Sequence, residues 1–234
     1  MQESKMGMIL SIETATSVCS VAIHDSGRLI SLCETNEQSA HAEQLMLLVE
    51  ESLKKAGIEL GQLDAIAVSE GPGSYTGLRI GVSTAKGLAF GLDKPLISIN
   101  TLQSLASAIS VKKGELIIPV LDARRMEIYR EVFDWKLNSV SKLSAEILGD
   151  GVFENFLENW RVYFLGDAVE KVKSVVSSEN ASFNSEIVFS ASHMGNLALE
   201  KFRKSEFVDL AYFVPNYLKE FKALHSKKNP LLSL

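Results

Sequence analysis

Three observations predict a two-lobed α/β protein. Short strands rich in Ile, Leu and Val alternate with helical stretches, the elements begin in the order βββαβαβ, and from residue 115 a strand, a polar turn and a second strand resemble the chain's own beginning. The 234 residues suffice for one large domain or two modest lobes, and 46% hydrophobic with 23% charged residues is ordinary globular composition. The expected lobes are residues 1–110 and 111–234.

The first three strands are MILSIE, SVCSVAIH and RLISLCET, each short and bounded by turn residues, with Asp25, Ser26 and Gly27 closing a hairpin between the second and third. From Ser39 to Lys55 the pattern becomes helical and stops at Gly57. LDAIAVS reads as a fourth strand, followed by a glycine-rich loop, a helix from about Gly77 to Gly91, a fifth strand at PLISI and a helix over 101–110. The second lobe opens with ELIIPVLDARRMEIYREVFD, in which Asp122 ends a strand as Glu13 does in the first lobe. Helices follow near 151–160, 168–177 and 192–204, with a strand at VYFLG and a closing LAYFVPNYLKEF segment.

The most informative stretch is SEGPGSYTGLRIGVSTAKGLAFGL, residues 69–92. A glycine-rich loop entering a helix can cradle phosphate, but Gly71, Gly73 and Gly77 give GxGxxxG rather than the dinucleotide GxGxxG, and no Lys-Ser/Thr pair makes a Walker A loop. Within the helix, Gly77, Gly81, Ala85 and Ala89 recur every four residues and form a stripe almost free of side chains. Each helical glycine costs roughly 1 kcal/mol relative to alanine, so Gly77 and Gly81, with Gly87 besides, require a compensating contact. That contact is either the chain's own sheet or another molecule.

The preceding helix favours another molecule. Leu45, Met46, Leu47, Leu48 and Val49 are consecutive and surround it, whereas packing on a sheet needs one apolar stripe. The predicted partner surface is His41, Leu45, Leu48, Val49, Gly77, Gly81, Ala85 and Ala89. A bulky residue at Gly81 is expected to break such a contact and leave the chain folded. A stable interface buries on the order of 1,200–2,000 Å².

Catalytic groups are scarce in the sequence. His24, His41, His193 and His225 contain no pair at helical metal-ligand spacing, and no nucleophile, base and acid set can be read from the order of residues. Cys19 and Cys33 lie in apolar strands and read as buried free thiols. The net charge of -5 gives no basic stripe, and Arg124-Arg125 is the one local basic feature to test against nucleic acid. No apolar run approaches the roughly 20 residues of a membrane span, and the N-terminus does not read as a secretory signal, so a cytoplasmic protein is expected.

The stretches ILSIETAT, HAEQL, SEGPGSYTGLRIG, GLAFG and DARRMEIY resemble the bacterial TsaB family, also called YeaZ, over residues 8–133, and PNYLKEF resembles that family's closing segment. The resemblance implies an actin-like ATPase fold of the sugar kinase and heat-shock ATPase type, its two related lobes each having a mixed sheet and flanking helices. It also implies a non-catalytic subunit that dimerises with TsaD. Together they attach a threonylcarbamoyl group to adenosine 37 of tRNAs reading codons that begin with A. A small ATPase, TsaE, engages the pair, a homodimer forms when TsaD is absent, and tRNA is met only through the complex. In that family the first two helices of the first lobe make the contact with TsaD.

The metal motif HxxxH of TsaD falls by register on Thr101 and Leu105, so neither a metal site nor a bound cofactor is expected. The first phosphate loop of the fold reads Asp-x-Gly followed by Thr or Ser, where this chain has Glu13-Thr14-Ala15-Thr16. Glu13 and Asp122 therefore remain weak candidates for nucleotide contact, and a small-molecule kinase of the same fold is the alternative function. A metallopeptidase has less support.

Overall fold

The structure, a computed structural model, describes residues 7–36 and 41–218. The first sheet contains β1 (Met8–Glu13), β2 (Cys19–Asp25), β3 (Arg28–Thr35), β4 (Ala65–Gly71) and β5 (Leu96–Asn100) in the order β3-β2-β1-β4-β5. The second contains β6 (Leu116–Asp122), β7 (Glu127–Arg130), β8 (Ser144–Ile147), β9 (Val162–Leu165) and β10 (Ala181–Asn184), in the order β10-β9-β6-β7-β8. In each sheet the first strand pairs antiparallel with the second and parallel with the fourth, the second pairs antiparallel with the third, and the fourth pairs parallel with the fifth. The two halves thus share one topology, and the duplicated architecture is real.

Six α-helices are described: α1 (His41–Ala56), α2 (Tyr75–Leu92), α3 (Thr101–Ala106), α4 (Glu154–Leu157), α5 (Val169–Lys173) and α6 (Gly195–Lys204). Gly57 at φ +69° ends α1 in the left-handed conformation that glycine adopts without a Cβ clash. Ser74 caps α2, its Oγ accepting from Gly77 N at 3.3 Å. Asn100 caps α3, its Oδ1 accepting from Leu102 N and Gln103 N at 2.8 and 3.1 Å, while its Nδ2 donates to Glu131 Oε2 of the second half at 2.8 Å.

Because strand side chains alternate between faces, β1 sends Leu10 and Ile12 toward α1 and α2, and Ile9 toward the opposite layer. Leu45, Leu48, Val49 and Leu53 of α1 and Val82, Ala85 and Ala89 of α2 form one core with Val21, Ile66 and Val68. The buried Ser52 hydroxyl donates to Val21 O at 3.3 Å, tying α1 to β2. The other face, with Ala65, Ala67, Ile97 and Ile99, is covered by Met194, Ala198 and Phe202, so α6 belongs to the first sheet.

The expected boundary at 110/111 separates the two sheets but not the layers around them. Leu102, Leu105 and Ala106 of α3 pack with Ile117, Leu121, Phe133 and Leu165 of the second half, so α3 does not complete the first lobe as expected. Conversely, α6 and the segment after it return to the first sheet. Val208 N donates to Leu96 O at 3.0 Å on the free side of β5, Asn216 N donates to Glu70 O at 2.7 Å, and the rings of Tyr217 and Tyr75 stand 4.7 Å apart. This returning segment covers the open edge that β5 would otherwise present.

Several predicted helices are shorter than expected. The one over 101–110 ends at Ala106, that near 151–160 holds only 154–157, and that over 192–204 begins with a 3-10 turn at Ala191–Met194. The start of the first helix at Ser39 and the end of the LAYFVPNYLKEF segment lie outside the described residues.

Candidate functional site

The structure relocates most of the predicted partner surface to the interior. Leu45, Leu48 and Val49 face the chain's own sheet, as do Ala85 and Ala89. His41 opens α1, but its side chain lies outside the described residues. Gly77 and Gly81 are buried against the turn between β1 and β2. A Cβ at Gly77 would overlap the Thr14 carbonyl, and one at Gly81 would overlap the Thr14 hydroxyl. Gly73 approaches the same turn, since its Cβ would stand 2.6 Å from the Ala15 carbonyl, which accepts from Ser74 N at 2.7 Å. The loop's glycines therefore admit close packing of α2 on its own protein. The expectation that a bulky residue at Gly81 spares the fold is overturned by that contact.

A second small-residue line runs along the outside of α2. Ser83, Gly87 and Gly91 recur every four residues and are exposed, and nothing stands within 4 Å of a Cβ built at Gly87 or Gly91. Phe90 beside them is 80% exposed. On the neighbouring α1, Leu47 is 56% and Met46 41% exposed, which divides the consecutive apolar run into three inward and two outward residues. Each outward glycine costs α2 up to about 1 kcal/mol with no internal contact to offset it. An exposed phenylalanine between such glycines offers a flat apolar surface that another helix can approach closely. The GLAFG motif carried this signal, because Gly87 and Gly91 bracket Phe90.

The two acidic candidates occupy different environments. Glu13 is fully buried, and desolvation pushes its carboxyl up to about 7 despite the hydrogen bond that Oε1 accepts from Ala15 N at 2.7 Å. Ser69 also lowers it through its hydroxyl's proximity, but Oε2, the Ser69 hydroxyl and the Thr14 hydroxyl all lack a well-formed hydrogen bond. Asp122 is exposed. Its Oδ1 accepts from Arg124 N at 2.6 Å and from Lys171 Nζ at 2.7 Å, and its backbone N donates to Asp167 Oδ1 at 2.9 Å. A buried carboxyl held at about 7 by desolvation and one already paired with lysine offer little ready negative charge for orienting a metal-bound nucleotide. Neither environment favours the kinase reading.

Thr101 and Leu105 are both buried. Thr101 Oγ1 accepts from Gly71 N at 3.1 Å, and Leu105 lies in the core shared with β6 and β9. His24 is also internal, its ring nitrogens 3.3 Å from Ser11 Oγ and 3.2 Å from Ser192 O, and burial lowers its pKa. Cys19 and Cys33 are buried free thiols, as expected, and burial raises the Cys19 thiol to about 11. Among the described residues no helix is long and apolar enough to cross a membrane.

Comparison with known proteins places this geometry. The family model described as "TsaD: tRNA N6-adenosine threonylcarbamoyltransferase" matches residues 35–226. The chain is 38% identical over 122 residues to the tRNA threonylcarbamoyladenosine biosynthesis protein TsaB of Haemophilus influenzae, covering 52% of this chain and 51% of that protein. It is 30% identical over 161 residues to the TsaB of Buchnera aphidicola from Acyrthosiphon pisum, covering 65% of this chain and 72% of that one. The chain spans about half the length of the Haemophilus and Escherichia coli relatives that it matches. The solved structure of YeaZ from Pseudomonas aeruginosa superimposes with a TM-score of 0.78 at 25% identity, covering 91% of this chain and 100% of that one. The twin sheets and flanking helices are thus the two-lobed actin-like ATPase fold, and the chain belongs to the TsaD family in its TsaB (YeaZ) branch.

Proposed function

We propose that the chain is a non-catalytic, cytoplasmic subunit in the biosynthesis of threonylcarbamoyladenosine in tRNA, and that it acts by dimerising with TsaD. In this reading TsaD transfers the threonylcarbamoyl group to adenosine 37 of tRNAs that read codons beginning with A. TsaE engages the pair, and a second copy of the chain occupies the same face when TsaD is absent. The similarity to TsaB proteins of tRNA threonylcarbamoyladenosine biosynthesis supports the pathway.

The observation that carries the contact is the outward side of α1 and α2, where Leu47 and Met46 of α1 and Phe90 of α2 are exposed and Gly87 and Gly91 beside Phe90 are open. A homologue of the same fold would present the same two-helix face, so the pairing buries like against like. The sealed Glu13 and the lysine-bound Asp122 support a positioning role rather than turnover.

The test mixes the purified chain with TsaD from the same organism and follows gel filtration, then tRNA modification with and without the chain. Gly87→Leu is expected to abolish the heterodimer and the stimulation of modification while the free chain stays folded. A heterodimer that survives Gly87→Leu and Phe90→Asp together would remove the face assigned here.

A further inference from the structure

The turn between β6 and β7 is built in an unfavourable way for its sequence. Arg124 and Arg125 take consecutive positive φ angles of 72° and 52°, a conformation that favours glycine or asparagine and that arginine adopts only under constraint. The constraint comes from beneath. Asp122 Oδ1 holds Arg124 N, Lys171 Nζ binds both Asp122 Oδ1 and the Arg125 carbonyl at 2.7 and 2.6 Å, and Asp167 Oδ1 holds Asp122 N. Asp122 and Asp167 are therefore engaged in fixing the turn, and burial further favours the neutral form of Asp167. Above this base, Arg124, Arg125 and Met126 are exposed.

We propose that Arg124 and Arg125 form a fixed fork that binds the phosphodiester backbone of an RNA strand. Guanidinium groups match phosphate oxygens with paired hydrogen bonds, and because the turn is already fixed, binding costs side-chain rotamer freedom but no backbone ordering. The chain carries a net charge of -5 and no basic stripe, so a polyanion contact on it is local rather than spread over a face, and of its exposed basic pairs this is the one on a turn with two successive positive φ angles. This inference rests on the tRNA-modification reading above, and it adds a direct RNA contact by this subunit where that reading has only an indirect one.

Two variants separate charge from backbone. Arg124→Asn with Arg125→Gly supplies the residues this turn prefers and removes both charges, whereas Arg124→Gln with Arg125→Gln removes the charges and leaves the backbone preference close to that of arginine. Binding of a tRNA transcript is measured by filter retention across a salt series, first with the chain alone at low salt and then with TsaD added. Both variants are expected to bind about tenfold more weakly, and the slope of log affinity against log salt should fall by about two. The asparagine-glycine variant should also unfold at a temperature no lower than the parent. Unchanged RNA affinity of either folded variant, alone or in the pair, overturns the fork. Loss of pairing with TsaD in the variants overturns it too, since the arginines would then meet an acidic protein surface. Failure of the parent chain to pair at all counts against the subunit reading, and the chain-alone binding still decides the fork.

Discussion

Replacing Glu13 by glutamine removes a charge that the fold does not solvate. The carboxyl is fully buried beside β4, with its pKa raised from 4.5 to about 7, so the folded chain holds a proton that the unfolded chain has released. In that window the folded state binds more protons than the unfolded one, and stability falls as pH rises through it. The full difference corresponds to about 3 kcal/mol, present as a penalty above pH 7 and absent below pH 4.5. Glutamine keeps the oxygen that accepts from Ala15 N and carries no charge. Urea unfolding of the two proteins at several pH values should show Glu13→Gln more stable by about 3 kcal/mol at pH 8 and by less than about 1 kcal/mol at pH 5. The comparison cancels the other titrating groups, which the proteins share. A stability difference that does not change with pH would mean that water or a cation reaches the carboxylate, and the assignment of a sealed site beneath the glycine loop would be wrong.

The two glycine lines on α2 should respond oppositely. Gly81→Leu must displace Thr14 and is expected to cost about 3 kcal/mol or more in chemical unfolding, whereas Gly87→Ala should stabilise the free chain by about 0.5–1 kcal/mol. Phe90→Asp should leave the unfolding midpoint of the free chain nearly unchanged, within about 0.5 kcal/mol, and abolish its association in analytical ultracentrifugation. Leu105→Ala should cost about 2–5 kcal/mol, and native-state hydrogen exchange should quicken in β6 and β9, although the residue precedes both in the chain.

Most of the first lobe was legible because its strands are continuous apolar runs and its first helix ends at Gly57. β8 and β10 were not, since SAEI and ASFN are four residues long and carry no apolar run; their pairing with β7 and β9 creates them. The site shows a different limit. Spacing in the sequence revealed a small-residue stripe on α2 and an excess of apolar residues on α1, but a period gives no direction. Two such lines exist on α2, and only the approach of Thr14, more than sixty positions earlier, decides which of them faces inward. Phe90 followed from the same lack of direction: an aromatic side chain in a helix reads as core until its neighbours are known to be elsewhere. The environment of Glu13 was likewise invisible, because burial depends on β4 and the loop that follows it.

The crossing of α3 into the second half, and of α6 with the 207–217 segment back into the first, has a consequence for any attempt to dissect the molecule. A cut at the genetic midpoint would leave each fragment with an uncovered apolar layer and the other fragment's lid. Separately expressed halves should therefore be insoluble or recover structure only when mixed, and motion of one half against the other must bend two connections at once. The unit that folds is the whole interleaved pair.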